Sequence, residues 1–197
     1  MLIYVHGFNS SPASHKAQLL KRIMQERGLG ERYCCPELPH LPGRAITVIE
    51  AEIARFPRAC VTLVGSSLGG YYATYLAERH DLRAVLINPA VCPHLGLRAY
   101  LGVQRNLFTR RQYEFTEDHL RELELLHRPT IHPRRYLLLV ETGDEVLDYR
   151  EAVEKYKGAH QLVVQGGDHS LMSFPEHVPL ILEFAGMASA TVRPRQA

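Results

Sequence analysis

The chain has 197 residues, enough for one substantial core and too few for two comfortable ones. Hydrophobic residues make up 46% and charged residues 22%, the balance of an ordinary globular domain rather than of a disordered or fibrous chain. A formal net charge of only +2, with no block of like charges, argues against nucleic acid as a partner.

The first predicted strand is the apolar run Leu2 to Val5. It is too short for a signal-peptide core, and no apolar stretch is long enough to span a bilayer, so a soluble cytoplasmic protein is expected. Helical period follows from Ser14 to Glu26, closed by Gly28, then a strand-like run from Arg32 to Cys35. A helix over Gly43 to Phe56 stops before Pro57, Cys60 to Val64 reads as a strand, Leu68 to Arg79 as a helix and Ala84 to Ile87 as a strand.

The regular alternation then lapses until the strand-like run Tyr136 to Val140. The interval holds a predicted helix from Glu117 to Leu126 behind Thr116 as N-cap, preceded by aromatic and arginine-rich sequence. It is longer than a crossover needs and reads as a cap-like insertion over about 89–133; an elongated crossover helix accounts for it equally well. A helix from Tyr149 to Lys157, a strand from Gln161 to Val164 and a helix from Pro175 to Ala185 complete a domain over 1–186, and the tail 187–197, without apolar periodicity, is expected to fray.

The six strand runs are mostly continuous rather than alternating, as in strands buried on both faces of a parallel sheet. Strands joined through helices cross over right-handedly, so the expected fold is α/β: a mostly parallel six-stranded sheet with helices on both faces. Cys34, Cys35, Cys60 and Cys92 lie in or beside these strands and read as reduced and buried. No cysteine pair has metal-ligand spacing and the histidines are scattered, so no metal is expected.

Between a predicted strand and a predicted helix stands Gly65-Ser66-Ser67-Leu68-Gly69. Glycines two positions either side of Ser67 permit a tight strand-to-helix turn that lifts its hydroxyl into a cleft; the plainer reading is close helix–sheet packing with Ser67 as a cap. A serine nucleophile needs a base, an orienting carboxylate and oxyanion donors. The final strand runs into Gly166-Gly167-Asp168-His169, which makes His169 the candidate base. The strand before it leads into Glu141, Asp144, Glu145 and Asp148; Asp144, just after Gly143, is favoured as orienter, while Asp148 suits a helix cap and Glu141 the strand end. The order serine, acid, histidine is that of α/β-hydrolases. The backbone N–H groups of Leu68 and Phe8 are the candidate oxyanion donors, and His6 reads as a structural residue of the Phe8 loop.

On the strings Tyr4-Val5-His6-Gly7-Phe8-Asn9-Ser10-Ser11-Pro12, Gly65 to Tyr72, Asn88-Pro89-Ala90, Gly143-Asp144 and Asp168-His169, the chain resembles the small bacterial YqiA-like esterases of the α/β-hydrolase superfamily. The resemblance covers nearly all of the chain before the tail. It implies cofactor-free hydrolysis of carboxylic esters, with short acyl esters and acyl-CoA thioesters as substrates. Arg98, Arg105, Arg110 and Arg111 could draw in an anionic substrate, although a solvated basic face is the plainer reading. Two alternatives stand beside the esterase: an acyltransferase or amidase using the same three residues, and a non-catalytic binding module on a hydrolase scaffold.

Overall fold

The structure, a computed structural model, describes residues 1–187. Apolar runs form the strands β1 (Leu2–Val5), β2 (Tyr33–Cys34), β3 (Thr62–Ser66), β4 (Arg83–Ile87), β7 (Tyr136–Glu141) and β8 (His160–Val164), with β5 (Gly102–Arg105) and β6 (Gln112–Phe115) between β4 and β7. The helices are α1 (His15–Glu26), α2 (Pro42–Ala54), α3 (Leu68–His80), the single turn α4 (Pro93–Gly96), α5 (Glu117–Leu125), α6 (Tyr149–Lys155) and α7 (Phe174–Phe184).

Six strands form one sheet in the order β2-β1-β3-β4-β7-β8, every pair parallel. All residues of β1, β3 and β7 are buried, which explains their largely apolar character. Alternate strand residues face two separate cores. Ile3, Val5, Leu63, Leu86 and Leu138 pack with α2, α3, α5 and α6, whereas Leu2, Tyr4, Val64, Val85 and Leu139 pack with α1 and α7.

From β1 the chain moves outward to β2, then returns past β1 to β3 and continues the other way. The crevice at the C-terminal ends of β1 and β3 is therefore a topological switch point, where open α/β sheets leave room for a ligand. The loops that follow these two strands begin at His6 and Ser67.

The segment between β4 and β7 contains α4, α5 and an antiparallel hairpin of β5 with β6 that sequence periodicity did not foresee. Helix α5 forms behind Thr116, whose N–H donates to His119 Nδ1 at 3.1 Å. It docks on the body through Glu122, which accepts the Gly43 N–H at 2.8 Å, and through the Leu123 carbonyl, which accepts the Tyr71 hydroxyl at 2.7 Å.

Two expectations need correction. The four cysteines are free, but Cys60 is exposed and Cys34, Cys35 and Cys92 are only half-buried, because β2 is a two-residue edge strand and Cys60 precedes β3. Met187, assigned to the tail, is buried in the core on the α7 side of the sheet, its N–H donating to the Leu182 carbonyl at 2.7 Å; the rest of the tail lies outside the described residues.

Candidate active site

Ser67 joins β3 to α3 with φ 56° and ψ −123°, a strained conformation for any residue with a Cβ. Missing side chains make the turn possible. A Cβ on Gly69 would collide with the Val5 carbonyl, and one on Gly65 would stand 2.7 Å from the Gly70 Cα. Although Ser67 is the N-cap of α3, its hydroxyl makes no capping bond. It faces His169 Nε2 at 3.1 Å instead, so capping does not explain the residue.

On its other side, His169 Nδ1 lies 2.8 Å and 3.0 Å from the two carboxylate oxygens of Asp144. A carboxylate only accepts, so the proton of the imidazole sits on Nδ1 and Nε2 is left as an acceptor for the Ser67 O–H. Burial of Asp144 favours its neutral form, yet the bond from His169 and the amides of Leu147 and Val146 outweigh burial and hold the carboxyl below its ordinary range. Asp148, the competing acid, caps α6 by accepting the Arg150 N–H at 3.0 Å.

Two residues hold the histidine loop without touching the serine. Glu141, at the end of β7, is buried, and its carboxylate accepts the N–H groups of Asp168 at 2.8 Å and Ser173 at 3.1 Å together with the Ser173 hydroxyl. Burial raises its pKa, but these bonds prevail and keep it ionised. A Cβ on Gly167 would strike the Glu141 carboxylate, which is why that position, at φ +73°, is a glycine. Asn88, after β4, donates to the carbonyls of Asp168 and His169 at 3.1 Å and 3.2 Å and accepts the Glu141 N–H at 3.1 Å. Asn88 belonged to a recognised string, but nothing local in the sequence marked Glu141 as a brace.

The loop after β1 runs beside the serine, so closely that a Cβ on Gly7 would be 3.2 Å from the Ser67 Cβ. His6 is buried; its Nε2 accepts the Leu38 N–H at 3.1 Å and its Nδ1–H faces the Gly7 carbonyl at 3.2 Å. Burial pushes its pKa down, so it is a neutral bracket between two loops. Among the described residues, the amides of Phe8 and Leu68 donate to no protein acceptor.

The same loop carries the hairpin. Asn9, at φ 53°, donates to Gln104 at 3.1 Å and accepts the Tyr113 hydroxyl at 2.7 Å, while Phe8 packs edge-on against Phe115 with ring centroids 5.3 Å apart. Two adjoining clefts result. One, of about 480 Å³, contains Ser67 and His169 and is walled by Leu107, Phe108, Leu171, Met172 and Phe174. The other, of about 320 Å³, contains Leu68, Tyr72, Glu37, His40, Arg111 and Tyr113, and Gly7 and Phe8 line both.

Over residues 1–186 the chain matches a family described as the uncharacterised protein family UPF0227. The chain belongs to that family. UPF0227 protein YcfP of Escherichia coli is 28% identical over 99 residues, 48% of this chain and 53% of YcfP, so the chain spans about half the length of the curated relatives it matches. UPF0227 membership agrees with the resemblance read from the motif strings. Among solved structures, Est1E from Butyrivibrio proteoclasticus, with ferulic acid bound, superposes with a TM-score of 0.70 at 15% identity over 95% of this chain and 88% of its own. Monoacylglycerol lipase of Paleococcus ferrophilus gives 0.67 at 17% identity, with 94% of each chain covered. At such identities the likeness establishes the fold, an α/β hydrolase fold, which this UPF0227 chain shares.

Proposed function

We propose that the chain is a serine hydrolase that cleaves carboxylic esters or thioesters through an acyl-enzyme on Ser67. The observation that carries this reading is the unbroken relay from the Ser67 hydroxyl through His169 to Asp144 at the wall of a cleft. In this reading the Ser67 oxygen attacks the acyl carbonyl while His169 Nε2 takes its proton. The N–H groups of Phe8 and Leu68 hold the oxyanion, and His169 returns the proton to the departing alcohol or thiol. A water, deprotonated by the same nitrogen, then releases the acid and restores the serine. Asp144 keeps its charge throughout and stabilises the imidazolium.

Two clefts that adjoin along Gly7 and Phe8, one of them holding Ser67, suit the two halves of an ester, one for the acyl chain and one for the leaving group. The segment 89–133 then serves as a cap, because its hairpin supplies Leu107 and Phe108 to the acyl side. Est1E and the monoacylglycerol lipase add support, since both are named for action on esters or hold a carboxylic acid. Four free thiols suit a reducing cytoplasm.

The decisive experiment is labelling with a fluorophosphonate, which reacts only with an activated serine. Wild-type protein should label at Ser67 and hydrolyse an activated short-chain ester. Ser67→Ala should neither label nor turn over, with an unchanged circular dichroism spectrum. An unlabelled wild-type serine would convert the reading to a binding module. Esters formed on an added alcohol in place of free acid would make the enzyme a transferase.

A further inference from the structure

We propose that the tip of the β5–β6 hairpin docks on an anionic lipid surface and that the esters reaching Ser67 are lipid-borne; the second half rests on the hydrolase reading above, the first does not. Leu107 and Phe108 at the tip are 63% and 43% exposed, and Met172, on the other rim, is 71% exposed. All three line the cleft that holds Ser67 and His169, so the mouth of that cleft is greasy on the solvent side. The outward face of the hairpin continues the pattern with Val103, 74% exposed.

Charge identifies the partner. Arg105 and Arg110 flank the apolar tip in the chain, Arg111 follows at the adjoining cleft, and among the described residues none of the three has a carboxylate within ion-pair distance. Arg98, further back, is neutralised by Glu117 at 2.9 Å, so the uncompensated cations lie at the tip itself. Apolar side chains flanked by arginines without carboxylate partners match a surface of acyl chains beneath anionic headgroups. Glu114 is the acid on the same face, and it stands opposite Val103, behind the tip.

The tip is also held in shape. Asn106 accepts the N–H groups of Phe108 and Thr109, each at 2.9 Å, and donates to the Ser10 carbonyl at 2.7 Å, while the Leu107 N–H reaches the Asn9 carbonyl at 2.9 Å. Exposing Leu107 and Phe108 is thus built into a fixed turn. A dissolved anionic ester could use the same arginines, but it would give Leu107 and Val103 no reason to face water.

The test is cosedimentation with phosphatidylcholine vesicles with and without phosphatidylglycerol, using full-length wild type, Ser67→Ala, Arg105→Gln/Arg110→Gln and Leu107→Ser/Phe108→Ser. Wild type and Ser67→Ala should bind the anionic vesicles equally and release them as salt is raised. The arginine double variant should bind about twenty-five-fold more weakly, at roughly fivefold per lost charge, and keep its fluorophosphonate labelling rate and thermal melt. The Leu107/Phe108 variant should also bind more weakly. No wild-type binding to anionic vesicles, equal binding to neutral ones, or binding unmoved in both double variants overturns the proposal. A wild type that ignores vesicles, with an Arg105/Arg110 variant impaired only on a soluble polyanionic thioester, overturns it in favour of a dissolved substrate. Failure of the hydrolase reading would appear separately, as absent labelling in a protein that still binds vesicles.

Discussion

Glu141 ends a strand with its carboxylate buried under donors from Asp168 and Ser173, the two ends of the turn that presents His169. Replacing it with glutamine keeps the shape but turns an amide towards donors that need an acceptor. Glu141→Gln should lower the free energy of unfolding by about 1–3 kcal/mol. It should also reduce kcat while leaving KM nearly unchanged, because the histidine rather than the cleft is displaced. Denaturant titration and steady-state kinetics on a soluble ester check both; an unaltered unfolding midpoint would remove Glu141 from this role. Asp144 was legible in the sequence because a glycine and a loop follow an apolar run, whereas Glu141 closes that run and resembles an ordinary strand terminus. The cysteines were misjudged for a related reason, since neighbours in sequence reveal whether a strand is apolar but not whether it lies at a sheet edge.

At the level of elements, the turn between β3 and α3 depends on how nearly backbone meets backbone. A methyl group on Gly69 would overlap the Val5 and His6 carbonyls, which belong to β1 and to the loop after it and cannot retreat without parting the β1–β3 pair. Gly69→Ala is therefore expected to abolish soluble folded protein or to cost several kcal/mol, on the order of the larger overpacking penalties. Thermal melts would measure this, and a melt like that of wild type would contradict the close approach. The four inner strands and the larger helices were legible because burial on both faces leaves nearly continuous apolar runs and because Gly28, Pro57 and Gly158 punctuate the chain. The hairpin was not. Each of its strands has four residues, only Gln104, Tyr113 and Phe115 turn inward, and the outward Arg105, Gln112 and Glu114 read as arginine-rich loop.

For the molecule as a whole, acid is the direction of weakness. His6, His40, His119 and His127 all have pKa values pushed below the ordinary 6.5 by burial. Below that value the unfolded chain binds protons that the folded chain resists, so stability falls as pH drops. Asp144 and Glu141, held below the ordinary 3.8 and 4.5, act in the same sense at lower pH: their stabilisation is present above those values and lost as pH falls through the folded ones. The melting temperature should be level near neutrality, decline below about 6.5 and fall more steeply below about 4.5. Scanning calorimetry across that range checks it, and a midpoint that rose on acidification would contradict the depressed histidine pKa values, those of the buried His6 and His119 above all.

The span between serine and histidine has a consequence for how the protein is made. Ser67 and His169 are 102 positions apart, and the strands that lead to them have β4 and β7 between them in the sheet. A chain emerging from the ribosome exposes its serine turn long before β8 and the histidine turn have been synthesised. Until then Ser67 has no partner for its proton and is chemically an ordinary hydroxyl. In the proposed hydrolase, reactivity therefore arrives late, with the last strand, and the unfinished polypeptide passes through synthesis as an inert one.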